Sequence, residues 1–308
     1  MDQIKNHPLY RRHNIDSAMS SLWEFYKRMF LPLFLISLVM SFVMQYASTF
    51  IDMKELQNVT DPMVMLEKIR SYILPIILIS ILNLFFTTIL MYYIIFKPLD
   101  SENNIFVSIV KSLKYFIPYL IIMVLLTFVG TIALVLGVLA LVVGVFFSLL
   151  YVMTLYLFIL PIMMVEETNI GDTIKRTISL THRNFWPNIG WVAVFIIILI
   201  VVSVIFSGII LLPFSLSFVK SILNPSDASK VLDVTTNPLF IILSTIVNAL
   251  TLPLMPVFAC ILYFNGKASE EPGNYIEQAN PENERVRVED LYAKPYADDH
   301  PDNPDRKD

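Results

Sequence analysis

Cysteine, glycine and charge are all scarce in this chain. It carries one cysteine and eight glycines in 308 residues, and only 16% of its residues are charged, against about 25% in an ordinary soluble domain. A single thiol, Cys260, cannot close an intramolecular disulfide or supply a multi-cysteine metal site, and inside an apolar run it reads as a small buried hydrophobe. The histidines His7, His13, His182 and His300 all fall outside the apolar runs and make no His-Glu-x-x-His pattern, so no metal or other cofactor is expected. No P-loop, Gly-rich dinucleotide turn or Gly-x-Ser-x-Gly elbow occurs. The charges that exist offer no basic surface for nucleic acid. Residues 264–308 hold 12 acidic and 6 basic residues, and the remainder hold 14 acidic and 16 basic. Segment 266–308, rich in Glu, Asp, Asn and Pro, is expected to be a disordered cytoplasmic tail. Its least polar island, 286–296, is a candidate docking peptide for a protein partner, but a plain solubilising tail is the favoured reading.

What the chain has in abundance is apolar sequence: 56% of its residues are hydrophobic, gathered into runs that belong in a bilayer. Helices are the economical way to cross, because every backbone polar group is then satisfied within the segment. The pattern predicts an all-α membrane protein with six spans, at about 30–50, 72–96, 115–137, 143–165, 187–212 and 238–264. Residues 115–165 form 51 consecutive uncharged positions, too long for one crossing of about 20 residues and right for a hairpin. Gly137 or Gly144 should lie near its turn. The first run begins near Met29, is about a full span long and lacks an A-x-A-like exit, so no cleavable leader is expected. Segments 1–28, 97–114 and 166–186 together hold 11 Lys and Arg, and the intervening loops hold 5. The basic excess orients the six-span domain, 29–265, with both termini in the cytoplasm.

Three triplets, Phe30-Leu31-Pro32, Phe116-Ile117-Pro118 and Phe185-Trp186-Pro187, share one setting: a short amphipathic segment precedes, a long apolar run follows. Before the third, Ile170, Ile174, Ile178, Thr181 and Phe185 fall on one helical face; before the first, Ile15, Met19, Leu22, Tyr26 and Met29 do the same. With six spans and an inside N-terminus the three units face the same way. They read as parallel repeats, each an interfacial amphipathic helix followed by a transmembrane hairpin, the first helix lying within the N-terminal segment 1–28. Such helices lie in the headgroup layer with basic side chains reaching phosphates. Arg11, Arg12, Lys27, Arg28, Lys175, Arg176 and Arg183 are the candidate contacts to anionic lipid headgroups.

Within the six apolar cores no residue is ionisable, so no proton or ion path is proposed. The strongest intramembrane polar groups include Asn83 and Asn248, with Ser80, Thr87, Thr88, Thr245 and Thr251; interhelical hydrogen bonding explains them, and a neutral lining for an apolar substrate is the alternative. The pair Pro253-x-x-Pro256 should interrupt the last span and free backbone carbonyls. In the first loop, Asp61-Pro62 signals the start of a short helix to about Arg70, and Asn58-Val59-Thr60 matches a glycosylation acceptor, silent in a bacterium. In the second, 213–237, a turn is expected at 224–227.

The residues Pro161-Ile162-Met163-Met164-Val165-Glu166, then Ile174-Lys175-Arg176-Thr177 and Phe185-Trp186, then Leu252-Pro253-Leu254-Met255-Pro256 and Leu262-Tyr263-Phe264 resemble a broad bacterial family. This is the glycerophosphoryl diester phosphodiesterase membrane-domain-like group of inner-membrane proteins. The resemblance runs over about 14–265 and implies a bacterial inner-membrane protein with Pro161, Glu166, Arg176, Phe185 and Trp186 as its motif positions. In fused members the phosphodiesterase chemistry looks to reside in a separate soluble barrel, and no segment here could house one. The expectation is therefore a non-enzymatic accessory in membrane or lipid organisation or membrane-protein assembly. The alternative is a transporter or permease for a lipid or small apolar solute, which requires Asn83, Asn248 and the Pro253/Pro256 break to converge on one cavity.

Overall fold

A computed structural model describes residues 2–51, 61–215 and 237–270, all helical or irregular with no strand among them. Among the described residues, a 3-10 turn at Asp2–Asn6 is followed by nine α-helices. These are α1 (Ile15–Arg28), α2 (Phe30–Ser48), α3 (Pro62–Phe96), α4 (Ile105–Leu139), α5 (Leu141–Glu166), α6 (Ile170–Arg183), α7 (Phe185–Leu211), α8 (Pro238–Thr251) and α9 (Leu254–Ala268). Six stretches are long and apolar enough to cross a membrane: α2, α3, α4, α5, α7 with its 3-10 extension, and α8–α9 taken together. This is the composition of a multi-pass membrane protein.

The way each helix starts follows from the residue before it. Five begin at a polar cap whose side chain accepts a backbone N–H two or three residues on: Asn14 from Ser17, Asp61 from Met63, Asn104 from Val107, Asn169 from Asp172 and Asn237 from Leu239. That satisfies an amide no intrahelical carbonyl can reach. The other four, α2, α5, α7 and α9, have no side-chain cap. Each follows a preceding helix after a break of one or two residues.

Several boundaries differ from the sequence expectation. The helix beginning at Pro62 does not stop near Arg70 but continues as α3 through the span. The segment before the second Phe-x-Pro is not a separate interfacial helix: α4 runs unbroken from Ile105 through Pro118. Before the other two triplets the chain leaves helical geometry, at Met29 (φ −103°, ψ 16°) and at Asn184 (φ −126°, ψ 56°). At the corresponding place Tyr115 is buried against Tyr92, with ring centroids 6.2 Å apart, and remains helical. The last span is interrupted, as the proline pair implied, at Leu252 and Pro253. Helix α9 reaches Ala268, so a tail starting at 266 begins inside a helix. The sequon at 58–60, the 224–227 turn, most of loop 213–237, His300 and the tail beyond Glu270 lie outside the described residues.

Helix α9 is the centre of the packing. In its span 61% of the most apolar stretch is buried, against 11–28% in the other five, and every residue from Val257 to Phe264 is at most 1% exposed. It packs against α5, α1 and α3, while α8 packs on α2 and α7. Phe258 stacks on Phe195 of α7 at 4.0 Å, and the Cys260 thiol lies 3.4 Å from the Met91 sulfur. Prolines 253 and 256 withdraw the amides that would serve the carbonyls of Ala249 and Leu252. Beside them α1 joins the last span: the Tyr26 hydroxyl donates to the Leu250 carbonyl at 2.8 Å.

The α4–α5 hairpin brings two glycines into close backbone contact at its turn. Its turn passes through Ala140 and Leu141, whose φ of 62° is left-handed. Gly137 and Gly144 face each other across it: a Cβ on Gly137 would sit 2.7 Å from the Gly144 carbonyl oxygen and 2.6 Å from the Ser148 hydroxyl. Gly137→Ala or Gly144→Ala should therefore lower thermal stability in detergent, by about 1–3 kcal/mol. Gly190→Ala, where a Cβ meets nothing within 4 Å, should leave it unchanged or raise it.

Candidate functional site

A central cavity of about 510 Å³ lies between the helices, and all six spanning segments contribute to its wall. Its floor is the start of α9, at Met255, Pro256 and Ala259. Asn83 of α3 and Asn248 of α8 both line it, as does Pro256; Pro253 makes the break but is not in the wall. The geometric condition attached to a transport reading is thus met by three of its four residues. The wall is half polar: ten of twenty lining residues carry a hydroxyl or an amide, and none is charged.

How those polar groups are satisfied separates them into two kinds. Thr87, Ser48 and Thr251 give their protons to carbonyls of their own helices, the usual disposal of a hydroxyl in a span. Tyr119 and Tyr156 adjoin each other, with Thr87 next to Tyr156. Gln45, Asn83 and Asn248, by contrast, line the cavity with side-chain amides that bond to no described residue. Ser41 is 4% exposed and its hydroxyl has no partner either. Amides left unpaired at membrane depth are costly unless something in the cavity meets them.

A second cavity, about 560 Å³, lies between α4, α5 and Ile196 of α7, and shares only Tyr156 with the first. Its character is different. Apart from Tyr156 its only polar side chains are Thr127 and Thr131, and both hydroxyls bond back to their own helix, to the carbonyls of Met123 and Thr127.

The basic residues expected at headgroups are divided by the structure. Lys27, Arg28 and Lys175 are exposed, Lys27 lying 5.1 Å over the ring of Trp23, itself 52% exposed. Arg11 donates to the Ser21 hydroxyl at 2.5 Å and Arg12 to the Ala268 carbonyl at 3.2 Å, so both serve the protein's own packing. Arg176 is a clear correction. It is wedged between Glu166 at 3.1 Å and Glu270, to which it donates from both terminal nitrogens. Arg183 pairs with the same Glu270 at 3.1 Å, while Glu166 also accepts from Lys267 at 2.8 Å and from the Tyr263 hydroxyl at 3.0 Å. The Glu166 side chain is 11% exposed, and its companions Arg176, Lys267 and Glu270 are at most 25% exposed. Of the motif positions that the resemblance implies, Glu166 and Arg176 meet as a latch tying α5, α6 and the end of α9 together, and Tyr263 joins them. Pro161 is buried within α5. Phe185 and Trp186 belong to a separate aromatic cluster with Phe147, Tyr151 and His182.

Two participants were not readable as functional beforehand. Glu270, on composition, belonged to the tail; only the fold brings it to two arginines, whose hydrogen bonds and charge outweigh its burial and hold its carboxyl below the usual range. His7 lies outside the apolar runs yet is 2% exposed, with its ring 4.8 Å from Phe264. Its Nδ1 accepts from the Leu9 amide at 3.2 Å and its Nε2 donates to the Ile94 carbonyl at 3.2 Å. That arrangement suits the neutral ring, and burial pushes its pKa down from 6.5 to about 4, against the Ile94 hydrogen bond. Among the described residues no cluster of three or more His, Cys, Asp or Glu side chains could hold a metal ion.

No family model, curated protein or solved structure matches the chain.

Removing the guanidinium of Arg176 takes one cation from both Glu166 and Glu270 but leaves Lys267 on the first and Arg183 on the second. Arg176→Ala should therefore cost about 1–2 kcal/mol, well below the full buried-pair range, and the double variant with Glu166→Gln should recover part of it. Thermal unfolding in detergent measures both. For His7, the native state binds fewer protons than the unfolded chain between pH 6.5 and about 4. Stability should thus be whole above pH 6.5 and fall as pH drops through that window, by up to about 1.4 kcal/mol per pH unit. His7→Gln should flatten the slope measured from pH 7.5 to 4.5.

Proposed function

We propose that this protein receives an amphiphilic membrane solute, a lipid or a small apolar molecule, in the cavity between its spans, and works as a carrier or transporter without enzymatic chemistry. The observation that carries this reading is the convergence of Asn83, Asn248 and the Pro256 end of the helix break on one uncharged, half-polar cavity. Six spans contribute to its wall, which is where ligand sites form in membrane proteins built around broken helices. The end bearing α1, α6 and the close of α9 is assigned to the cytoplasm from its basic excess, and the membrane to a bacterial inner membrane from the family resemblance. We read the three Phe-x-Pro units as parallel repeats, of which the middle one has fused its leading helix into the span.

The surface reading keeps one observation in its favour. Trp23 and Lys27 stand together and exposed on α1, an arrangement suited to the headgroup layer, where α1 would organise anionic lipid. The acidic tail beyond Glu270 is the part suited to a protein partner.

The two readings separate in one experiment. The protein is extracted with its surrounding lipids into nanodiscs and the co-isolated small molecules are identified by mass spectrometry. Ser203→Phe puts a ring into the cavity from an exposed position on its wall, and should abolish a stoichiometric amphiphile that the wild type retains. The triple change Lys27→Ala, Arg28→Ala and Lys175→Ala should leave it in place. The reverse pattern, with anionic lipid lost only from the triple variant, would sink the cavity reading.

A further inference from the structure

The two cavities differ in a way that specifies what they hold. The central one keeps three amides, those of Gln45, Asn83 and Asn248, and the buried Ser41 hydroxyl without a partner among the described residues. The lateral one has hydroxyls that are already satisfied by their own helices and otherwise presents methionine, leucine, phenylalanine, valine and isoleucine side chains. Tyr156, partly buried, is the only residue common to both walls. A molecule filling both would therefore meet hydrogen-bonding groups at one end and hydrocarbon at the other.

Charge narrows the head chemistry. Neither cavity is lined by lysine, arginine or histidine, nor by a carboxylate. Every charged side chain of the latch, Glu166, Arg176, Lys267 and Glu270, lies outside both walls. A phosphate or carboxylate head drawn into the central cavity would lose its hydration with no cation to replace it, a cost far larger than neutral amides repay. A hydroxyl or carbonyl head loses little hydration and meets donors and acceptors in equal supply, since each amide offers both.

Resting on the cavity reading above, we propose that the ligand is an uncharged amphiphile of the diacylglycerol or long-chain alcohol class. Its hydroxyl and carbonyl groups bond to Gln45, Asn83 and Asn248 in the central cavity, and its chain passes Tyr156 into the lateral cavity between α4 and α5. Glycerophospholipids with charged heads are excluded from the site by desolvation and stay in the surrounding bilayer.

The test uses the full chain in nanodiscs with two photoactivatable probes of identical acyl chains carrying the diazirine: diacylglycerol and phosphatidic acid. Crosslinked peptides are mapped by mass spectrometry. Diacylglycerol should label peptides of α4 and α5 around residues 127–131 and 149–153, at least about tenfold more than phosphatidic acid does. Asn83→Leu and Asn248→Leu, near-isosteric changes, should each cut that labelling by roughly tenfold with thermal stability unchanged, because no protein partner is lost. Gln45→Leu is the second variant, should either of those fail to fold. Equal or stronger labelling of the same peptides by phosphatidic acid would overturn the neutral-head proposal and leave the cavity reading standing. No labelling of these peptides by either probe would overturn both. A fall in thermal stability of all three variants would mark the amides as structural and overturn the proposal as well.

Discussion

The architecture depends on an interruption: the hydrogen-bonded helix of the last span breaks at Leu252 and Pro253. Two prolines three residues apart remove two amide donors and crowd the preceding turn, a cost of roughly 3 kcal/mol each in an ordinary helix interior. Here the ladder stops at Thr251 and restarts at Leu254 while Leu252 and Pro253 keep right-handed helical dihedrals, and a tyrosine from α1 donates to the nearby Leu250 carbonyl. Before the interruption α8 lies against α2 and α7; after it α9 runs into the middle of the bundle. Leu252, Met255, Pro256 and Ala259, at and just past the interruption, line the cavity. Interruption, central helix and cavity wall thus occupy one short stretch of chain.

A helix buried on all sides must be held at its far end too, since α9 makes its closest contacts over only about ten residues. The latch does this. Glu166 at the end of α5 gathers Arg176, Lys267 and Tyr263, and Glu270 gathers Arg176 and Arg183. On the other side the N-terminal segment closes over α9, with the His13 amide bonded to Asn265 at 2.8 Å and His7 against Phe264. Charged pairs of this kind contribute modestly when hydrated. Their value here is geometric, because they fix the end of α9 relative to α5 and α6 while the opposite end is left free to bound a cavity.

What could be read from the sequence was whatever a single helix decides for itself. The six spans follow from run length, the helix starts from Asn and Asp caps, and the interruption from Pro253-x-x-Pro256. Asn83 and Asn248 stood out because an amide is conspicuous in an apolar run. Their meeting was not legible, since they sit on α3 and α8, and nothing in either helix tells which way it faces. Arg176 was misread for the same reason: an arginine on an amphipathic helix looks identical whether its partner is a phosphate or a glutamate on another helix. Glu270 and His7 were hidden by composition, one in an acidic segment and the other in a polar one. Tyr115 shows the converse, a position where the repeat pattern called for a helix break and a buried ring, packed on Tyr92, kept the helix whole.

The contrast between the two cavities says most about what kind of molecule belongs there. Hydroxyls in membrane helices can always be silenced by the carbonyl four residues back, and in the lateral cavity both are. Asparagine and glutamine amides are harder to silence, because one backbone carbonyl cannot take two donors and supply an acceptor. A protein that needed only packing at positions 45, 83 and 248 would be more stable with leucine there, in lipid as in water. Three such amides around one space, from α2, α3 and α8, are therefore not explained by the stability of the bundle. Water alone could satisfy them, but water would not account for an adjoining apolar cavity of similar volume that shares Tyr156 with the first. A molecule with a polar, uncharged head and a hydrocarbon chain accounts for both compartments and for their order along α5.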